Sequence, residues 1–338
     1  MGQATMHDLS VSVVIPARNA APHMRKLLRA LADNESVRQI LVVDDCSTDP
    51  TAEIVTRFAK TDNRIRLLRM DAHRGAGAAR NRGIPHVTGE YCAFIDADDY
   101  VEPQGMDEAA GALRSLGGDF LVYKWYQTDM HGRTVAMRMA DSDEALWATA
   151  VQGKRHVVTD ARKCPWIMRT LNFPWNKMYR TRFLVDKGIR FSETFIHNDN
   201  LAHWMSYTQA SSFVLYDKYL VGHKEDPRRT QLSTVMDRRR LQLFDAFQDI
   251  DEFFRYGELY ADLYPHFVCY KRDLLGWFGP QIHAEAFTEF CALSAATFSH
   301  IRSDLLFYIN RFDPQAARDI FDMRCHAEAF FSARRRCV

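Results

Sequence analysis

No stretch of this 338-residue sequence is apolar for anything near the ~20 residues that a membrane-crossing helix needs. No secretory leader opens it either, so a cytoplasmic setting is expected, with peripheral contact at the inner face of the cell membrane left open. The seven cysteines are scattered, odd in number and never spaced Cys-x-x-Cys. That usage fits a reducing compartment and argues against a cysteine-built zinc site. Neither sign of charge dominates: 44 Lys and Arg stand against 43 Asp and Glu, a net charge of +1. The basic footprint of a nucleic-acid-binding protein is therefore missing. Low-complexity tracts and repeats at a solenoid period are also absent, which argues against disordered and repeat architectures. Met1-Gly2-Gln3-Ala4-Thr5-Met6 lacks the Ser or Thr of a myristoylation site. What remains is an ordinary folded-protein composition, 47% hydrophobic, in a chain long enough for one large domain plus an extension.

The first third alternates between two periodicities. Val11-Ser12-Val13-Val14-Ile15 is a β-branched run closed by Pro16, which reads as a buried strand. From Pro22 to Ala32, Met24, Leu27, Leu28 and Leu31 recur at helical spacing. Ile40-Leu41-Val42-Val43 is a second strand that stops at Asp44-Asp45-Cys46-Ser47-Thr48, after which Asp49-Pro50 reads as N-cap and first helical residue. Ile65-Arg66-Leu67-Leu68 is a third strand. The small-residue segment Gly75 to Gly83 follows, and Tyr91-Cys92-Ala93-Phe94-Ile95 is a fourth strand. Strand and helix in this rhythm predict an α/β fold with a mostly parallel central sheet flanked by helices.

The fourth strand ends in Asp96-Ala97-Asp98-Asp99. Carboxylates crowded at one strand tip raise one another's pKa unless a cation neutralises them. Hard oxygen donors suit Mg²⁺ or Mn²⁺ bridging to a substrate's phosphates. A solvated acidic turn that caps the next helix is the plain alternative. Ligands of such sheets bind beyond the carboxyl ends of the strands. Asp44, Asp45, Asp96, Asp98 and Asp99 all fall at such ends, so one crevice is expected to gather them. The segment Gly75-x-Gly77-x-x-Arg80 lacks the third glycine of a dinucleotide fingerprint and follows the third strand, which argues against an NAD site. Its small residues are expected to let a helix N-terminus approach a diphosphate, with Arg80 adding charge.

Taken together, these segments resemble the inverting GT-A glycosyltransferases of family 2. Val11 to Asn19 is similar to that family's opening strand, and Leu41 to Asp49 to its second motif, with Cys46 where glycine is usual. Gly75 to Asn81 resembles its Gly-x-x-x-Ala-Arg-Asn segment, and Asp96-Ala97-Asp98-Asp99 its metal motif. Four motifs in the right order are specific where one would be weak. The resemblance implies a Rossmann-like GT-A domain over residues 1–235, made of a nucleotide-sugar-binding half (1–105) and an acceptor-side half (106–235). It also implies that Pro16, Ala17 and Arg18 line the base and ribose pocket, although many relatives carry an aromatic residue where Arg18 stands. Asp45 would accept the imide N–H of uracil or thymine, and Gly75 and Arg80 would border the diphosphate. Asp96 would contact the ribose or a metal-bound water, and Asp98 would ligate Mn²⁺ or Mg²⁺ with Asp99 in support.

Phe173 to Arg180 resembles the family's Trp-Asn-Lys-x-Tyr segment, which implies that Trp175, Asn176 and Lys177 border the sugar and acceptor pocket. Asn198-Asp199 resembles a Glu-Asp pair with its first acid neutralised, which implies Asp199 as the catalytic base; a helix N-cap is the other reading. Leu220 to Ser233 resembles a segment that closes over the donor diphosphate. That implies His223 as a further metal ligand and Arg228 or Arg229 as phosphate partners, against the alternative of an exposed basic loop. No tryptophan follows an arginine, so the Gln-x-x-Arg-Trp motif of processive synthases is missing and transfer of one or a few sugars is implied. Residues 236–338 form a helical extension, with Leu241, Phe244, Phe247 and Ile250 to Phe254 at three- and four-residue steps. Such an aromatic stripe reads as core packing, while Trp277-Phe278 and Arg334-Arg335-Arg336 are the candidates for contact with anionic lipid.

The implied reaction is a metal-dependent single displacement that moves a sugar from a nucleotide sugar, with UDP the favoured carrier. The acceptor would be a hydroxyl of a glycan or glycolipid in bacterial surface polysaccharide synthesis. Two rivals stay open: a sugar-phosphate nucleotidyltransferase, and a non-catalytic nucleotide-sugar-binding protein, which the Asn198 departure keeps alive.

Overall fold

β1 (Val11–Ala17) is buried along its whole length, as its β-branched residues predict. The protein is described by a computed structural model, which covers residues 9–129, 133–170, 172–224, 235–257 and 261–335. It forms two compact units, Met1–Pro227 and Arg228–Val338. In the first, β2 (Val37–Asp44), β3 (Ile65–Arg69) and β4 (Tyr91–Phe94) join β1 in a parallel block ordered β3-β2-β1-β4. The crossovers are α1 (Ala21–Ala32), α2 (Thr51–Ala59) and α3 (Gly75–Gly83). α1 buries Met24, Leu27, Leu28 and Leu31, the four residues whose spacing marks its inner face. α2 starts one residue later than expected, because Pro50 rather than Asp49 takes the N-cap position. The Asp49 carboxylate instead accepts from the backbone N–H groups of Thr51 at 3.0 Å and Ala21 at 3.0 Å, tying the starts of α1 and α2 together.

Beyond β4 the sheet departs from the parallel pattern. β5 (Tyr100–Val101), α4 (Gly105–Leu116), β6 (Phe120–Thr128), β7 (Thr134–Ala136), α5 (Asp141–Val151) and β8 (His156–Thr159) follow in the chain. β9 (Lys177–Arg180), α6 (Thr181–Asp186), α7 (Asn200–Gln209) and β10 (Phe213–Lys224) complete the unit. The order continues β4-β9-β6-β10-β5, with β9 antiparallel to both β4 and β6 and with β6 and β10 parallel to each other. Because β9 reverses direction twice over, β6 and β10 run the same way as β4. The carboxyl ends of β1, β2, β4, β6 and β10 therefore open on one edge of the sheet, where ligands of such folds bind.

The second unit is helical, with α8 (Gln242–Tyr256), α9 (Tyr264–Phe278), α10 (Ala284–Ser299), α11 (Ser303–Phe312) and α12 (Pro314–Arg335), the last broken at His326. Phe247, Ile250, Phe267, Phe290, Phe298, Met323 and Phe331 fill its core, as the aromatic periodicity predicts. Lys271 is fully buried and donates to both oxygens of Asp251, at 2.7 and 2.5 Å. Of the residues considered for lipid contact, Trp277 is exposed, whereas Phe278 is buried beneath the Arg240 guanidinium. Arg334 donates to Asp319 and stacks on Phe330, Arg335 donates to the Ile282 carbonyl, and Arg336 lies outside the described residues. Among the described residues no helix is long and apolar enough to cross a membrane.

Candidate active site

The shared edge begins at β1 and β2. Asp45 follows β2, and its N–H donates to the Ala17 carbonyl at 2.8 Å. Pro16 and Ala17 are buried and Arg18 is exposed beside them. The Asp45 carboxylate is also buried: Oδ1 accepts from Arg74 N–H at 2.8 Å, and Oδ2 accepts from Gly75 N–H at 2.8 Å and faces His73 Nδ1 at 2.7 Å. It thus fastens the first turn of α3 to the end of β2. A carboxylate has about four acceptor sites, so one remains for an incoming N–H.

α3 packs against the 191–198 loop. Gly77 gives close approach, but to protein: a Cβ there would overlap the Ser192 carbonyl oxygen and lie 2.8 Å from the Asn198 Cβ. Asn81 donates to the Phe191 carbonyl at 2.9 Å and accepts from Phe191 N–H at 2.8 Å. Arg80 is 3% exposed, donates to Asn198 Oδ1 at 2.7 Å and to Asp96 Oδ1 at 2.5 Å, and packs over the Phe191 ring. Three residues of one helix therefore dock the 191–198 loop and deliver Asp199. Both terminal nitrogens of Arg80 thus donate to protein oxygens. Asn198 suits that place: its neutral amide oxygen accepts from Arg80 without adding a second acid beside Asp96.

Asp199 occupies the N-cap position of α7, yet its side chain makes no cap bond to the helix. Its Oδ1 accepts from Asn172 Nδ2 at 2.5 Å. Asp199 as a residue is half-buried. Burial pushes its pKa up to about 6, Arg80 pulls it back and Asp96 adds to the rise. A carboxyl poised there is well matched to taking a proton near neutral pH. Lys177 lies fully buried nearby, donating to the Phe173 carbonyl at 2.5 Å and to Asn176 Oδ1 at 2.9 Å. Burial pulls the Lys177 ammonium down to about 7, with Asp199 and Asp143 opposing the fall.

At the third corner, Asp99 Oδ1 lies 2.9 Å from His223 Nδ1. Burial pushes Asp99 up, and His223 partly offsets this. Burial would lower His223, but Asp99, Asp98 and Asp96 outweigh it and raise the imidazole above its ordinary value. The His223 ring stacks on Trp175 at 4.9 Å, and Trp175 stacks on Phe173 at 4.4 Å. Trp175, Asn176 and Lys177 are all buried. Arg228 and Arg229 lie outside the described residues.

The fit to a divalent cation rests on two features. Asp99 Oδ2 is buried with no hydrogen-bond partner among the described residues, and the local donors are carboxylate oxygens with one imidazole, a set that suits Mn²⁺ or Mg²⁺. Among the described residues no group of three or more His, Cys, Asp or Glu side chains is placed to hold a metal ion. Ligation by one or two side chains, with substrate oxygens completing the shell, is the pattern expected of Mg²⁺-type sites. Asn172 and His73 carried no signal in the sequence, since each stands in a loop without period or motif.

Residues 12–181, half of the chain, match the model of Glycosyl transferase family 2, and the chain belongs to that family. It is 29% identical over 246 residues to the glycosyltransferase EpsH of Bacillus subtilis (strain 168), a match covering 71% of this chain and 67% of EpsH. It is 34% identical over 185 residues to the succinoglycan biosynthesis protein ExoO of Rhizobium meliloti (strain 1021), covering 54% of this chain and 51% of ExoO. The match to the poly(ribitol-phosphate) beta-N-acetylglucosaminyltransferase TarS of Staphylococcus aureus (strain MW2) is 29% over 216 residues, covering 62% of this chain but 35% of TarS. The crystal structure of S. aureus TarS 1-349 in complex with UDP-GlcNAc superposes with a TM-score of 0.71 at 20% identity, over 96% of this chain and 92% of that one. The fold is thus GT-A with a helical carboxyl-terminal region, and the protein is a glycosyltransferase.

Proposed function

We propose that this glycosyltransferase transfers a sugar from a UDP-linked donor to a hydroxyl of a glycan or glycolipid in bacterial surface polysaccharide synthesis, with Asp199 as the base. The observation that carries the assignment is Asp199 itself: it sits where a helix cap would, makes no cap bond, and burial pushes its carboxyl up to about 6 beside the Asp96–Arg80–Asn198 network. The UDP-GlcNAc bound to TarS supports a UDP donor. The names of TarS and ExoO support a polymeric acceptor.

Asp199 would accept the proton of the acceptor hydroxyl as its oxygen attacks the anomeric carbon from the face opposite the nucleotide. One displacement inverts the anomeric centre, with the UDP oxygen as leaving group. General-base assistance of this kind contributes typically ~10²–10⁴-fold. Asp98, with Asp99 and His223 behind it, would hold Mn²⁺ or Mg²⁺, which supplies neutralisation of the charge that develops on the diphosphate. Asp45 has one acceptor site left for a uracil imide, and Ala17 and Arg18 stand beside it. The test is a panel of nucleotide sugars incubated with the protein and Mn²⁺, followed by mass measurement of hydrolysed or transferred sugar. A UDP-sugar should be consumed. Failure of every nucleotide sugar to react, together with no binding of UDP, would overturn the reading.

A further inference from the structure

Asp199 is held by a side chain from outside its own loop. Residues 172–176 lead into β9, and buried groups pin that segment at three points. Lys177 Nζ donates to the Phe173 carbonyl at 2.5 Å, Tyr123 Oη donates to the Trp175 carbonyl at 2.6 Å, and Tyr123 N–H donates to the Asn176 carbonyl at 3.0 Å. The Phe173 ring adds a stack on Trp175 at 4.4 Å and an edge contact with Trp125 at 5.4 Å. A segment fastened in this way presents Asn172, the side chain at its start, in a fixed place.

The Asn172 amide bridges the beginning of α7. Its Nδ2 donates to Asp199 Oδ1 at 2.5 Å and also to Asn200 Oδ1, so both of its hydrogens are engaged. Asn200 is fully buried, and that second contact sets the direction in which the amide points. The Asp199 side chain makes no cap bond to α7 that would compete for its orientation. One carboxyl oxygen is thus tied to a neutral donor, which leaves Oδ2 for an incoming proton. A neutral donor favours the ionised form, whereas a cation bonded at the same place would pull the carboxyl further down and weaken it as a base. The bond also outlasts the proton's arrival, because a carboxylic acid protonated on Oδ2 still accepts at Oδ1.

We propose that Asn172 is a positioning residue of this glycosyltransferase, holding Asp199 with Oδ2 towards the acceptor hydroxyl while the proton is transferred. The inference rests on the reading of Asp199 as the base. It adds that the aim of the base is set by the segment before β9 as well as by the loop that carries it. Arg80 on α3, Asp96 beyond β4 and Lys177 on β9 are the charged groups that act on the Asp199 carboxyl. All three stay in place in variants at position 172, so a change in the acid limb of the rate profile reports the amide.

The test follows kcat against pH on the UDP-sugar that the full-length protein consumes, for wild type, Asn172→Leu, Asn172→Asp, Asp199→Asn and the Asn172→Leu/Asp199→Asn double variant. UDP affinity is measured beside it by calorimetry. Asn172→Leu should lower kcat about tenfold and move the acid limb up by about 0.5–1 pH unit, the loss of one charge-assisted hydrogen bond. Asn172→Asp keeps the size of the side chain but replaces the donor with a like charge, and should move the limb further up. UDP affinity should be unchanged in both, which also reports that they are folded. In the Asp199→Asn background Asn172→Leu should cost no more than about twofold, since the base it orients is gone. An equal loss in both backgrounds, or an acid limb that stays in place in both Asn172 variants, would overturn the proposal. Turnover of Asp199→Asn alone within tenfold of wild type would instead remove the base reading and this inference with it, a separate measurement from the other two.

Discussion

Asp199→Asn separates stability from turnover in a way that few substitutions do. The folded protein holds this carboxyl at about 6 against an ordinary 3.8. The folded state therefore binds the proton more tightly than the unfolded chain, and as pH rises through 6 the ionised form costs stability. That difference corresponds to about 3 kcal/mol if fully expressed, and to about 1–2 kcal/mol once partial exposure is allowed for. Asparagine keeps an oxygen for the Asn172 amide and removes the charge. Lys177, with its pKa near 7, is mostly neutral at pH 8, so little attraction is lost there. At pH 8 the variant should melt higher by about 2–4 °C per kcal/mol gained, and at about pH 4.5 the gain should shrink towards zero. Turnover should fall at least ~10²-fold with UDP binding spared. Scanning calorimetry at the two pH values, beside a transfer assay, reads all three. A lower melting temperature at pH 8, or turnover within tenfold of wild type, would refute the reasoning.

Gly77→Ala should cost about 1–3 kcal/mol in urea unfolding and lower turnover as well, because its methyl group forces the Ser192 backbone away from α3. Loss of neither would show that the loop tolerates the shift. Arg80→Met should cost about 3 kcal/mol by stranding Asp96 and Asn198, and should lower kcat more than it raises the donor KM, since the loop bearing Asp199 loses its anchor. An unchanged kcat would remove the anchoring role. Asp98→Ala should weaken Mn²⁺-dependent UDP binding by at least ~10-fold and leave metal-free binding alone, as read by calorimetry. Equal loss with and without Mn²⁺ would count against Asp98 as a ligand.

The four parallel strands and α1 were legible because each is specified locally: β-branched runs make β1 and β2, and the Met24, Leu27, Leu28, Leu31 stripe makes α1. The antiparallel β9 was not, since Lys177–Arg180 is a four-residue strand with a cation at each end and no period to read. Its place between β4 and β6 is decided by partners far away in the chain. The site divides along the same line. Asp45 and the Asp96 to Asp99 group stand at strand tips that periodicity locates. The work of Gly77, Arg80 and Asn81 depends on a loop more than a hundred residues later, with Arg80 and Asn198 separated by 118 positions. The resemblance set Arg80 beside a diphosphate and Trp175-Asn176-Lys177 at the sugar pocket, and all four are buried.

The seating of α3 against the 191–198 loop also has an evolutionary reading. With no room for a side chain at 77 and a single guanidinium shared between 96 and 198, these positions are not free to drift one at a time. A lineage that acquired an acid at 198 would place it beside Asp96 around the same cation, and compensation elsewhere would have to arrive with it. Changes in this corner of the molecule should therefore be inherited as sets.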